Sequence, residues 1–247
     1  MKKISITFLT LTLFILIFAG CAPNAQNEAG KNSSSPTSEP LEENPSATEE
    51  PFVDNSSLTS EQSNALNAAK NYLKVSSFSF DGLINQLEYE GFSNDDAIFA
   101  VNNCGADWNE QAAMSAKNYL RTSAFSYQGL IYQLEFEGFT TEQATYGVDS
   151  CNADWNEQAL ESAKNYLRSS AFSYLGLIEQ LEFSNFTAEQ ATYGADNCGA
   201  DWNEQAVKKA KSYLRTGSWS KEKLIGQLEY SGFTYEQAVY GAEQNGY

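Results

Sequence analysis

The chain has 247 residues, with 32 acidic against 15 basic side chains, no histidine and a formal net charge of −17. A field of that sign repels phosphate backbones and anionic lipid heads and favours basic partners, or else simply keeps an exported protein soluble. The absence of histidine excludes Ser–His and Cys–His nucleophile arrangements and removes the commonest general base and metal ligand.

At the start, Lys2 and Lys3 precede an apolar or hydroxyl-bearing run from Ile4 to Phe18, closed by Ala19, Gly20 and Cys21. This order of charge, apolar stretch and small residues is that of a secretory signal, and the run is too short and too abruptly ended for a permanent membrane span. A cysteine directly after small residues at such a site is the lipobox arrangement, although Phe18 stands where Leu is commonest. The reading is a signal peptide over residues 1–20 and a diacylglycerol on Cys21, which leaves the mature chain extracytoplasmic and lipid-anchored in the cell membrane. An ordinary signal peptide with an incidental cysteine is the alternative.

Residues 21–56 comprise that cysteine and a stretch rich in Ser, Asn, Glu and Pro. With almost no large apolar side chains it cannot offset its conformational entropy, which predicts a disordered stalk spanning on the order of 30–40 Å as a flexible coil.

From there a period of 47 residues governs the sequence: Tyr72, Tyr119, Tyr166 and Tyr213, then Cys104, Cys151 and Cys198, then Trp108, Trp155 and Trp202. The expected units are 57–106, 107–153, 154–200 and 201–247, four tandem repeats in an all-α chain. Each carries three helix starts. The first is Asp107, Asp154 or Asp201 followed three residues later by Glu, with Ser60 as the cap in the first unit. The second is Ser79, Ser126, Ser173 or Ser220, after an aromatic residue and before a Leu-Ile pair. The third is the Thr-x-Glu-Gln box at Thr140, Thr187 and Thr234, with Ser93 to Asp96 approximating it. Gly91, Gly138 and Gly232 punctuate the step to the third helix, and Gly105 and Gly199 the step after it.

Helical periodicity assigns the core. Trp155, Ala159, Leu160, Ala163, Tyr166 and Leu167 share one side of the first helix, with Glu157, Glu161, Lys164 and Arg168 on the other. Leu130, Ile131 and Leu134 mark the second helix, and Ala144, Tyr146 and Val148 the third, with Phe139 behind them. A unit of 47 residues is marginal alone, so packing between neighbours is expected to contribute.

The run Ala163-Lys164-Asn165-Tyr166-Leu167, then Phe172-Ser173, Gly176-Leu177-Ile178, Gln180-Leu181, Glu189-Gln190-Ala191, Tyr193 and Asp201-Trp202-Asn203-Glu204-Gln205-Ala206 resembles the Ltp family, the host cell surface-exposed lipoprotein repeat. The resemblance implies helix-turn-helix-like units on a bacterial surface lipoprotein. For members carried by temperate phages it implies superinfection exclusion by blocking DNA injection. The fourth copy departs, with Trp219 for Phe and Lys221-Glu222-Lys223 for an aromatic and Gly pattern, which suits a terminal repeat.

No catalytic or metal site and no cofactor is expected. The repeat cysteines lie a full repeat apart, outside metal-ligand spacing; they read as buried small residues, or two of the three as a disulfide between neighbouring units. Charge and export both oppose nucleic-acid binding. One feature has two readings. Near the end of the second helix an aromatic residue stands beside Glu: Tyr89; Glu135, Phe136 and Glu137; Glu182 and Phe183; Tyr230. Phe136 lies about 170° from the Leu130–Leu134 face, so it either meets the neighbouring repeat or stands free as a partner-binding surface. The expected partner is a basic or amphipathic protein segment such as a phage tail component, with a membrane contact only through the lipid anchor. The alternative is adhesion to a cell-wall or matrix polymer without a phage role.

Overall fold

The computed structural model describes residues 58–247 and is helical throughout them, without a strand. The signal peptide, Cys21 and the stalk assigned to 1–56 lie outside the described residues. Repeat 1 holds α1 (Ser60–Val75), α2 (Phe80–Tyr89) and α3 (Asn94–Asn103); repeat 2 holds α4 (Trp108–Thr122), α5 (Tyr127–Phe136) and α6 (Thr141–Asp149). Repeat 3 holds α7 (Trp155–Ser169), α8 (Tyr174–Phe183) and α9 (Ala188–Asn197); repeat 4 holds α10 (Trp202–Thr216), α11 (Lys221–Tyr230) and α12 (Tyr235–Glu243).

The boundaries follow from the caps. Asp107, Asp154 and Asp201 each accept two backbone amides of the first turn, and Thr140, Thr187 and Thr234 each close a reciprocal box with Gln143, Gln190 and Gln237. α1 begins one residue earlier than expected: the cap is Thr59, because Thr59 and Gln62 form the box that Ser60 has no partner to make. Gly91, Gly138 and Gly232 have positive φ after the second helices, and Asn185 (φ 65°) fills that place in repeat 3. There the amides of Phe139, Phe186 and Phe233 reach back to Leu134, Leu181 and Leu228, satisfying carbonyls the helix end leaves open.

Within a repeat the first and third helices pack most closely, with the second across them. The leucine pairs Leu83 and Leu87, Leu130 and Leu134, Leu177 and Leu181, and Leu224 and Leu228 are fully buried. Each such side chain contributes about 1.5–3 kcal/mol. Tyr146 sits on the outer side of α6, contrary to its place in the expected core. The buried position is Gly147, where an added Cβ would stand 2.8 Å from the Ala112 carbonyl, so the bare helix is what allows α6 to approach α4.

Successive repeats join through their second helices. Ser79, Ser126 and Ser173 accept the amides of Gly82, Gly129 and Gly176 as caps and donate their hydroxyls to the carbonyls of Glu137, Ser184 and Ser231 in the following repeat. One hydroxyl thus serves an open amide at one helix start and an open carbonyl at the next helix end. The starts of α2, α5 and α8 are thereby each set against the end of the second helix of the following repeat. Trp108, Trp155 and Trp202 stack edge-on against Phe80, Tyr127 and Tyr174 of the preceding repeat, with ring centroids 5.4–5.6 Å apart. The Phe78 and Phe125 amides donate to Gln111 and Gln158 across the first two junctions. At the third, the buried oxygen of Gln205 has no partner.

Candidate functional site

Each second helix carries an uncovered ring at its end. Tyr89, Phe136, Phe183 and Tyr230 are 78%, 84%, 70% and 88% exposed. The neighbouring repeat does not cover them; after Phe136, Phe183 and Tyr230 the junction uses the next residue, whose carbonyl takes the serine hydroxyl. Sequence reasoning placed these rings opposite the core and left their surroundings open, and they face outward.

Two further apolar residues join the row. Tyr132, one turn before Phe136, is exposed, and so is Leu175, two turns before Phe183. A Cβ at Gly232 would lie 3.4 Å from that of Leu175, which sets Leu175 beside the end of α11, where Tyr230 stands. Their helical spacing from Phe136 and Phe183 was readable, but the conjunction with Tyr230 depends on the junction.

The acidic residues divide by role. Glu182 and Glu229 are exposed; Glu88 accepts from the Asn94 side chain at 2.7 Å and Glu135 from the Thr141 hydroxyl at 2.6 Å, each tying a second helix to the start of the third. Glu137 turns inward to accept from Tyr119 and from Ser115. Burial pushes its carboxyl up, against the opposing pull of those two hydrogen bonds. The Tyr119 hydroxyl is pushed up as well, by burial and by the carboxylate it serves. Glu90 accepts from Tyr72 at 2.7 Å in the same way, whereas Ser184 and Ser231 meet Tyr166 and Tyr213 at 2.6 and 2.7 Å. Glu137 therefore supports the end of α5 beneath Phe136, and Glu135 and Glu182 flank the rings. α2, α5 and α8 contain no Lys or Arg, and α11 contains Lys221 and Lys223.

Cys104, Cys151 and Cys198 are free thiols that donate to the carbonyls of Val101, Gly147 and Ala195. Burial pushes the Cys104 and Cys151 thiols up, which disfavours the reactive thiolate. Among the described residues no group of three acidic or cysteine side chains is placed to hold a metal ion. No helix among them is long and apolar enough to cross a membrane.

Residues 60–104, 107–150, 154–198 and 201–244 each match the family described as "Host cell surface-exposed lipoprotein". Among solved structures, the chain is similar to that titled "Structure of Ltp, a superinfection exclusion protein from the Streptococcus thermophilus temperate phage TP-J34", at 34% identity, over 39% of this chain and 99% of that one, with a TM-score of 0.37. No curated protein matches the chain.

Proposed function

This chain belongs to the host cell surface-exposed lipoprotein family, and from that premise we propose that it captures a basic or amphipathic protein segment on its second helices and so excludes incoming phage. The observation that carries the reading is the row of Tyr89, Phe136, Phe183 and Tyr230, exposed at a constant spacing of 47 residues beside Glu135 and Glu182. Uncovered aromatic side chains of that kind supply the apolar anchors of an interface, and the acidic flank selects cationic partners. The chemistry is binding and not catalysis. The same charge repels DNA, so arrest of the injection machinery is physically easier than capture of the genome. Four weak anchors on one array raise avidity without any one of them binding tightly.

In this scheme Cys21 carries the lipid that holds the repeats at the membrane, and Cys21→Ala releases soluble or unprocessed material. Cells that express the protein are expected to adsorb phage normally and fail to receive labelled phage DNA. Unchanged DNA entry across a broad panel of phages would sink the exclusion reading and favour adhesion to a wall polymer.

A further inference from the structure

The fourth repeat carries a charge pattern that the row of rings does not use. From Gln205 to Lys221 the chain has no acidic residue and five cations, Lys208, Lys209, Lys211, Arg215 and Lys221. Lys208, Lys211 and Arg215 recur at i, i+3 and i+7 and therefore share one side of α10. All three are exposed, as is Lys223 at the start of α11. Among the described residues none of these four is within ion-pairing distance of a carboxylate; Lys221 is the cation that pairs here, with Glu243 at 3.2 Å.

Lys211 and Arg215 have basic counterparts in every repeat, Lys70, Lys117 and Lys164 and then Lys74, Arg121 and Arg168, but Lys208 and Lys223 belong to repeat 4 by substitution. Where Lys208 stands, the earlier repeats have Asn67, Met114 and Glu161, and where Lys223 stands they have Gly82, Gly129 and Gly176. At those glycines a would-be Cβ meets the hydroxyl oxygen of the cap serine at 2.8–3.0 Å, and repeat 4 has a long cation instead. Trp219, in the turn between Arg215 and Lys221, is partly exposed, with its indole N–H held by the Tyr213 carbonyl at 3.1 Å.

We propose that the outer side of α10, with Lys208, Lys211 and Arg215, together with Lys223, is a contact surface for an anionic lipid bilayer. The α10 side of the fourth repeat then lies against the membrane, while the rings stand on the second helices. The α10 cations are spread along two turns, from Lys208 to Arg215, which fits a plane of headgroups better than one enclosed anion. A tryptophan at the edge of such a patch suits the water–lipid boundary. The protein's overall negative field opposes approach, but at physiological salt it is screened within about 8 Å, so the local cations decide the contact. Glu204 and Glu222 border the patch and limit its strength.

The test is flotation of the full chain carrying Cys21→Ala, so that no acyl chain contributes, with vesicles of phosphatidylcholine alone or with phosphatidylglycerol added. Binding that depends on the anionic lipid is expected to fall on the order of tenfold or more when Lys208, Lys211, Arg215 and Lys223 are all changed to Gln. Changing Lys70, Lys74, Lys117 and Arg121 to Gln removes the same charge elsewhere and is expected to leave that binding in place; circular dichroism checks both variants for helix. Equal loss in the two variants, or no dependence on phosphatidylglycerol in the parent, overturns the assignment. So does displacement by inorganic phosphate at constant ionic strength, which would mark a single-anion site. The phage partner takes no part in the assay, so its outcome is separate from the exclusion reading.

Discussion

The hydroxyl of Ser126 donates to the carbonyl of Ser184, 2.6 Å away in the next repeat, while it accepts the Gly129 amide at 3.0 Å. Ser126 is 2% exposed, whereas Ser220 caps α11 in the open. Ser126→Ala is expected to leave a buried amide and a carbonyl unpartnered, at about 1–3 kcal/mol. Ser220→Ala removes a cap alone, at about 1 kcal/mol or less. Urea unfolding of the two variants measures the difference, which is the contribution of the junction. Equal destabilisation would mean that the repeats fold as independent units.

The contact between first and third helices offers a second comparison. At Gly147 an added Cβ meets the Ala112 carbonyl at 2.8 Å, while at Gly226, within α11, it meets nothing. Gly147→Ala is expected to destabilise by about 1–3 kcal/mol through overpacking. Gly226→Ala is expected to stabilise by roughly 0.5–1 kcal/mol, because it only raises helix propensity. Thermal unfolding with opposite shifts in the two variants supports the close crossing of α4 and α6; a neutral Gly147→Ala would refute it.

These two cases show what was legible in the sequence. The period of 47, the cap residues and the buried leucines are local signals, and the four three-helix repeats follow from them. Thr59 and Ser60 are equally good cap types, and only the partner Gln62 decides for Thr59. Helical spacing puts Tyr146 inside because it cannot tell a ring beside a tight crossing from one within it; Gly147 makes the crossing too close for a side chain. The second role of Ser79, Ser126 and Ser173 was hidden, since nothing local in the sequence marks a hydroxyl that also reaches a carbonyl 58 residues on. For the same reason the outward face of Phe136 is readable in the sequence, but the approach of Leu175 to the end of α11 is not.

Glu137 makes the first junction sensitive to pH. Burial holds its carboxyl above the ordinary value, so the folded state binds this proton more readily than the unfolded chain does. Its contribution is therefore greatest below the unfolded value and is lost as pH rises through the folded one. Between neutral and mildly acidic pH the wild type is expected to gain stability from this group on acidification. Glu137→Gln, which keeps an acceptor for Tyr119, is expected to lose that gain and to be the more stable of the two at neutral pH. Unfolding midpoints across the range check the slope; a variant with the wild-type slope would remove Glu137 as its source.

The exposed rings give the most direct test of the partner surface, because fold and binding separate cleanly there. Phe136 and Phe183 are 84% and 70% exposed, while Leu130 and Leu177 are fully buried on the opposite sides of the same helices. Changing both phenylalanines to Ser is expected to alter stability by no more than about 0.5 kcal/mol, as for surface positions in general. If the rings anchor a partner, the same change costs about 2 kcal/mol or more for each anchor lost, and protection against phage falls steeply with it. Glu135→Lys with Glu182→Lys reverses the flanking charge without disturbing the inward-facing Glu137, and is expected to restore infection in cells that hold normal amounts of helical protein. Leu130→Asp is the contrasting control, since it buries an unpaired charge and unfolds its repeat. Protection that survives loss of both rings and reversal of both carboxylates, yet disappears with Leu130→Asp, would show that the fold is needed and the row is not. The exclusion surface would then have to lie on the first or third helices.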